Sequence, residues 1–454
     1  MGKKILTVPA GAMLGAGLSV GLVHFAALWG LFPAHDLNRS ANYLRDVLQI
    51  VHENYVDPSA AAYDALAKNA LHGMVESLDP HSEYLDSQDN TELEEDLTGE
   101  FGGVGIEVEV RAGHIMVVTP IAGTPGDRAG IRRGDEIIRI DGKAVDANPT
   151  MDAVVDRLRG KPKTAVQVTL YRASSGQQMN LSLMREVIKV DSVTGVRVLE
   201  GDVGYLQLTE FSEHTGEQFD DAIDRLLKQN INGLVIDLRN NPGGLLDAAV
   251  DVAEPFFRKG ELIVYTQGRK PGDREDFRAE SPGDPLSLPI AILINSGTAS
   301  AAEIVTGALK DTGRAVIVGE RSFGKGSVQS IFKLKNGEGM RLTTAHYYTP
   351  SGVTIHQKGI DPQVEVVMSA DEDSKLRQQG LRPDLTDAAE FVKRFGFTPV
   401  VDRQLQAAID VLKGVELLDE QTARTGAAKT ARITPPPRPG QVLRFSGRPL
   451  RRVG

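Results

Sequence analysis

The chain has 454 residues, 41% of them hydrophobic and 25% charged, enough for roughly three ordinary folded domains and unlike a disordered polymer. It contains no cysteine, which excludes disulfides, thiolate catalysis and zinc–thiolate centres. Its net charge of -10 argues against a general nucleic-acid binder, because nothing overall would neutralise phosphates.

Lys3 and Lys4 precede a stretch, 5–34, whose only ionisable side chain is His24. About 20 apolar residues span a bilayer, and positive charge ahead of them favours a cytoplasmic N-terminus. Residues 1–36 are therefore expected to form a signal-anchor that holds the rest of the chain outside the cytoplasm. A cleaved signal peptide is the alternative, although no A-x-A site follows a compact apolar core. Next, Leu44, Val47, Leu48 and Val51 repeat at helical spacing, as do Leu71, Met74, Val75 and Leu78. Two helices are expected before Asp79-Pro80, since proline disfavours helix in the residue before it. The acidic run Glu92, Glu94, Glu95 and Asp96 reads as a solvated helix face, closing an N-terminal helical region at 37–99.

From Phe101 the period changes to two. Ile106, Val108 and Val110 alternate with Glu107, Glu109 and Arg111, the pattern of a half-buried strand. Strands are predicted at 115–118, 136–140, 165–171 and 178–184, with one amphipathic helix carrying Met151, Val154, Val155 and Leu158. The loop G-G-V-G-I (102–106) and the run A-G-I-R-R-G-D-E-I-I-R-I-D-G (129–142) make this module, 100–187, resemble a PDZ domain. Glycines there let the N–H groups that follow Gly103, those of Val104, Gly105 and Ile106, converge on a peptide's terminal carboxylate. The next strand edge can pair with the peptide, and Val154 and Leu158 are the candidate groove walls. A glycine-rich turn in an unrelated sheet would carry the loop alone equally well.

Beyond 188 apolar strands (204–208, 234–238, 289–295, 315–318) alternate with helices (219–227, 246–256, 301–309), which predicts a layered α/β core with crossover connections over 188–368. A last helix at 404–412 belongs to a C-terminal helical region, 369–425. No acidic residue occurs beyond Glu420, and Pro435, Pro436, Pro437, Pro439 and Pro449 stand among arginines. The tail 426–454 is expected to be disordered, with contact to anionic lipid or a partner as the alternative.

Two residues carry chemistry. Ser300, in I-N-S-G-T-A-S-A-A-E, sits where a buried strand feeds a helix, so helix N–H groups would stabilise developing negative charge. The same residues form a capping box, Ser300 as N-cap and Glu303 at N3; Ser296 and Thr298 are alternative caps or nucleophiles. Lys325 lies in F-G-K-G-S-V-Q, and a neutral lysine amine can take a serine's proton. Lysine ordinarily titrates near ~10.4, so such a role needs an apolar setting; a solvent-facing loop lysine is the plain alternative. Gln329 shares the face of Lys325 at strand period, and its amide oxygen could hold the amine. Residues 319–325 also read G-x-x-x-x-G-K, yet Gly326 replaces the Ser or Thr of a phosphate loop and strand-like alternation follows. An oxyanion site is expected at Asn240-Asn241-Pro242-Gly243-Gly244, with the N–H groups of Gly243 and Ala301 as donors and Gly244 a close second; a simple turn is the bland reading. A Ser-His-Asp triad with His346 or His356 and Asp237 or Asp361 is compatible with the sequence.

Together D-P-H-S-E-Y-L (79–85), the PDZ motifs, D-L-R-N-N-P-G-G, S-G-T-A-S-A-A-E-I, F-G-K-G-S-V-Q and I-H-Q-K-G-I-D-P (355–362) resemble the carboxyl-terminal processing (tail-specific) serine peptidases over about 37–415. The resemblance implies a crotonase/Clp-protease-like layered α/β core with an inserted PDZ domain and flanking helices. It puts the nucleophile on Ser300, the general base on Lys325 and the assisting glutamine on Gln329, with no cofactor and no metal. Thr298 stands where that family often has serine. Protein substrates would be held by their C-termini in a bacterial cell envelope, with room for an adaptor protein, a homo-oligomer and a membrane attachment through the N-terminal segment. A catalytically idle PDZ scaffold that binds C-terminal peptides is the competing class.

Overall fold

The structure, a computed structural model, describes residues 35–111, 113–146, 148–380, 385 and 387–432. Residues 1–34 of the anchor expected at 1–36, and 433–454 of the tail expected to be disordered at 426–454, lie outside the described residues, while 426–432 continue the helix Arg403–Arg432. Among the described residues no helix is long and apolar enough to cross a membrane. The described residues fall into two compact units, those up to Ser87 with Ser330–Thr343, and Gln88–Gln329 with those from Thr344 onward.

In the first unit the helices His35–Asn54 and Tyr63–Glu76 fall where the apolar spacing put them. Asp79 explains the D-P-H-S motif: its carboxylate accepts the His81 and Ser82 N–H groups at 2.8 and 3.0 Å and the Ser82 hydroxyl at 2.7 Å. That turn launches the strand Glu83–Leu85, which pairs antiparallel with 339–341. The pairing explains why a segment so late in the sequence belongs with the N-terminal helices.

The second unit contains the β-rich module and the α/β core. In the module, Ile106–Arg111, His114–Pro120, Asp135–Ile140, Ala165–Arg172 and Gln177–Met184 form an antiparallel sheet in that order. Val166, Val168 and Leu170 point inward at period two and are buried with Ile115, Ile137 and Ile140. The entry and exit strands, Glu100–Gly103 and Glu186–Lys189, pair with each other, as an insertion requires.

The core sheet runs Val193–Leu199, Val203–Leu208, Gly233–Asp237, Ile290–Ile294, Ala315–Gly319, Val364–Glu365. The first pair is antiparallel and the rest parallel. Leu234, Ile236 and Ile292 face one cluster with Phe219, Val252 and Val305 from the crossover helices, while Val235, Ala291 and Leu293 face Ala408 and Leu412. Burial on both faces is why these strands read as continuous apolar runs rather than alternating ones.

The helix Arg403–Arg432 is fastened to the sheet by charge as well as by packing. Arg239, just past the strand Gly233–Asp237, bonds Asp237 at 2.6 Å and Asp402 at 2.8 Å, and Asp402 caps that helix by accepting the Leu405 N–H. Asp237, 1% exposed, also accepts the Tyr205 hydroxyl at 2.8 Å. Every charge in this buried cluster therefore has a partner, as burial demands.

Candidate active site

Parallel sheets place their functional loops at the carboxyl ends of the strands, and here Ile290–Ile294 leads into Asn295. Its side-chain oxygen accepts the Asn240 and Gly297 N–H groups at 2.9 and 3.0 Å, tying two strand ends together. Thr298 is fully buried; it accepts the Asn295 N–H at 3.0 Å and donates to the Leu238 carbonyl at 2.8 Å. Thr298 is thus a strut of the loop rather than a second nucleophile. Ser300 follows with φ 55° and ψ -119°, immediately before the helix Ala301–Asp311. An N-cap residue is ordinarily extended, whereas this backbone lies in a region that costs of order 1–3 kcal/mol for a side-chain-bearing residue. Capping alone does not require that conformation; a turn that lifts a side chain clear of strand and helix does.

Glu303 makes the expected bond back to the Ser300 N–H, at 2.9 Å, and then exceeds a cap's duties. The same oxygen, Oε2, accepts the Lys325 N–H at 2.9 Å, while Oε1 accepts the Gly324 N–H at 2.8 Å and the Ser322 hydroxyl. Burial pushes the Glu303 carboxyl above the usual range, and these four hydrogen bonds oppose the rise. The structure thus brings the backbones of Ser300 and Lys325 together on one carboxylate. Gly326 must lack a side chain, since a Cβ there would meet the His356 backbone nitrogen at 2.4 Å. The strand Ser327–Lys333 begins next, without the helix a phosphate loop needs. Gln329 donates its amide N–H to Ser327 Oγ at 2.8 Å, which turns the amide's donor end toward Ser327.

Sequence reasoning missed Tyr347. Its hydroxyl donates to the Lys325 carbonyl, and its N–H donates to the Gly326 carbonyl at 3.1 Å. Burial, with Glu303 nearby, pushes this phenol well above its usual value, so it stays neutral. Nothing in T-T-A-H-Y-Y-T distinguishes it from any inward-facing strand tyrosine.

The glycine turn lies against the serine. Gly243, at φ 99°, passes so close to Ser300 that an added Cβ would lie 2.6 Å from the serine Cβ. Its N–H, however, donates to Asn241 Oδ1 at 2.8 Å, while Asn241 Nδ2 holds the Leu208 carbonyl at 2.9 Å. The expected oxyanion donor Gly243 is therefore engaged in this conformation. Ala301, the first residue of the helix, carries one of the N–H groups that a helix leaves without an internal partner.

The PDZ module corrects the expected groove walls. Gly103, Val104 and Gly105 are buried and Ile106 half-buried, and Val154 and Leu158, at 2% and 5% exposure, pack inside the module's core. They do not wall an open groove here. The loop is held from both sides: Gly102 accepts the Gly160 N–H at 2.9 Å, and the Gly126 N–H binds the Val104 carbonyl at 2.8 Å. The alternative triad is not assembled either. Asp237 is bonded to Tyr205 and Arg239, Asp361 to Arg321, and the His346 and His356 rings pack against each other at 4.6 Å.

The chain as a whole is similar to known proteins. The profile of peptidase family S41 matches residues 202–366, and that of the PDZ domain matches 102–183. A carboxy-terminal-processing protease of Bartonella bacilliformis is 39% identical over 429 residues, covering 91% of this chain and 96% of the relative. The carboxy-terminal processing protease CtpA of Bacillus subtilis is 35% identical over 379 residues, covering 81% and 80%. Among solved structures, a photosystem II D1 C-terminal processing protease is 31% identical, with 71% and 92% coverage and a TM-score of 0.42. The chain is a serine-type peptidase, an α/β enzyme carrying a PDZ domain. It belongs to peptidase family S41, among the carboxy-terminal-processing proteases.

Proposed function

We propose that this peptidase cleaves near the C-termini of protein substrates with a Ser300–Lys325 dyad assisted by Gln329. The Ser300 hydroxyl attacks the scissile carbonyl as its proton passes to the Lys325 amine. The resulting ammonium then protonates the leaving amine, and water, activated by the same amine, releases the acyl-enzyme. Ala301 donates its N–H to the tetrahedral oxyanion at the positive end of the helix. Gly243 joins as second donor when its N–H exchanges Asn241 Oδ1 for substrate oxygen. Gln329, its donor end occupied by Ser327, offers its amide oxygen to the amine.

One observation carries this reading: the N–H groups of Ser300 and Lys325 meet on Glu303 Oε2, with Ser300 held at positive φ. A helix cap needs the first bond but has no use for the second. Recognition of the substrate's terminal carboxylate is assigned to the N–H groups of Val104, Gly105 and Ile106, after the segment at Gly160 moves off Gly102. The apolar stretch 5–34 behind Lys3 and Lys4 supports anchoring at the membrane with the peptidase outside the cytoplasm.

The test compares wild type, Ser300→Ala and Lys325→Ala on a protein bearing an apolar C-terminus, with product ends mapped by mass spectrometry. Loss of all cleavage in both variants supports the dyad. Cleavage that persists in either variant, or cuts indifferent to an amidated C-terminus, overturns the corresponding half of the proposal.

A further inference from the structure

We propose that a cavity at the far end of the nucleophile's helix binds a small apolar carboxylate and from there steadies the contact between Ser322 and Glu303. The inference goes beyond the dyad reading: it needs Glu303 to join two loops, whichever base serves Ser300.

The cavity, about 460 Å³, falls within the roughly 300–1,000 Å³ that small ligands fill. Gly307 and Lys310 of the helix Ala301–Asp311 line it together with the turn at 353–361. A rise of about 1.5 Å per residue sets Lys310 about 15 Å along the helix from Ser300, so the cavity is separate from the reacting atoms. Ile355 and Ile360, 2% and 6% exposed, form its apolar floor. Gly307 lets them approach, since a Cβ there would meet Thr349 Cγ2 at 2.8 Å and both isoleucines at 3.4 Å.

The rim decides the charge of the occupant. Lys310, Arg321 and Lys358 line it against Asp311 and Asp361, three cations to two carboxylates. Both carboxylates are already engaged: Asp361 accepts from Arg321 Nε at 2.5 Å, and Asp311 accepts the Ser351 N–H at 3.2 Å and its hydroxyl. Lys310 gives one N–H to the Asp361 carbonyl at 2.7 Å, which leaves its ammonium two further donors. Lys358 stands exposed beside it. An apolar floor beneath surplus donors fits an anion joined to a hydrocarbon group, and the single excess positive charge fits one carboxylate. The end of a short peptide and a fatty acid share that chemistry.

The same turn is fastened to the active site. The Ile360 N–H donates to Ser322 Oγ at 2.7 Å, the Ser322 N–H to the Ile360 carbonyl at 3.1 Å, and the Ser322 hydroxyl to Glu303 Oε1. The Gln357 N–H binds the Gly324 carbonyl at 2.8 Å. Gln357 holds φ 59°, a left-handed backbone that costs free energy in a residue with a side chain. A ligand packed on Ile355 and Ile360 binds this arrangement better than any in which the turn has moved, and so raises its population. Ser322 is then kept on Glu303, and turnover rises.

The experiment titrates decanoate and N-acetyl-Leu-Val, each beside its amide, into the full chain by calorimetry, and reads kcat on β-casein at saturation. One of the acids is expected to bind one-to-one, about tenfold more tightly than its amide, and to raise kcat about fivefold; which acid does so identifies the source. Lys358→Ala should weaken binding about tenfold. Val353→Trp, which fills the mouth from an exposed position, should abolish it; if that variant fails to fold, Lys358→Ala carries the comparison. Binding unchanged in the folded variants, or equal binding of acid and amide, overturns the site. Binding that leaves kcat unchanged overturns the coupling to Glu303. Ser300→Ala should bind the acid as wild type does, so failure of the dyad and failure of the cavity are told apart.

Discussion

Ser300 and Lys325 donate their backbone N–H groups to the same oxygen, Glu303 Oε2, each at 2.9 Å. The serine begins a helix after one core strand, and the lysine lies in the loop after the next. A shared acceptor turns two separate loops into one rigid piece, and a misplacement of about an ångström can cost a hundredfold in rate.

Glu303→Gln should be far more damaging than its shape suggests. The amide sets an NH2 group against N–H and O–H donors, so at least one buried donor loses its acceptor at a cost of about 1–3 kcal/mol. Activity should drop about a hundredfold, with a lower melting temperature by calorimetry. A structural role alone would lower stability and leave kcat per folded molecule unchanged.

Acidification should expose the same group. The folded-state pKa of Glu303 is raised by burial, so proton uptake favours the folded over the unfolded form. Stability should therefore outlast activity as pH falls through the upper carboxylate range. The profile of log kcat/KM should steepen there as the carboxylate stops accepting from Ser300 and Lys325, and Glu303→Gln should abolish that second break.

Arg239→Met tests the fastening of the C-terminal helix. It strands Asp237, 1% exposed, and frees Asp402 at the helix cap. Breaking such a buried pair costs about 3–5 kcal/mol, measurable by urea titration. Activity should fall too, because Arg239 directly precedes the Asn240-to-Gly244 turn.

The two glycines of that turn should part company when changed to alanine. At Gly244, φ 144°, a Cβ would lie 2.0 Å from the Phe211 carbonyl oxygen, so Gly244→Ala should prevent stable folding. At Gly243, φ 99°, a Cβ would lie 2.6 Å from the Ser300 Cβ and 2.8 Å from the Ala299 carbonyl oxygen and the Ala301 nitrogen, so the strain falls on the serine turn itself. Gly243→Ala should be less destabilising than Gly244→Ala and should lose kcat in the molecules that fold, as circular dichroism and turnover together would show.

Peptide capture has its own test. Gly105 has φ 68° and Thr124 stands 2.3 Å from where its Cβ would be, so Gly105→Ala must distort the carboxylate loop. A fluorescent peptide with a free C-terminus should bind wild type at least about tenfold more tightly than its amidated form. Gly105→Ala should erase the difference. Equal binding of both peptides by wild type would refute the assignment of Val104, Gly105 and Ile106.

What the sequence made legible follows from burial. The strands Gly233–Asp237 and Ile290–Ile294 are covered on both faces and read as unbroken apolar runs. The hairpin partner Arg274–Arg278 is mostly exposed and charged, so it left no apolar pattern. The helix Ala370–Gly380 buries no residue and shows no stripe. Glu303 was readable as a helix cap because capping is local, whereas its bonds to Ser322, Gly324 and Lys325 exist only once the chain is folded. Arg239 with Asp402, and Tyr347 with Lys325, are invisible for the same reason. The engaged Gly243 and the buried PDZ loop are properties of a conformation, which residue types alone do not specify.

The dyad is tested most directly by the acylation rate of Lys325→Met, the nearest uncharged match in length, with Ser300 left intact and folding confirmed. If the Lys325 amine takes the Ser300 proton, acylation should fall by about ten-thousandfold, with Ser300→Ala giving none. A Lys325→Met enzyme that acylates within a factor of about ten of wild type would show that another base activates the serine.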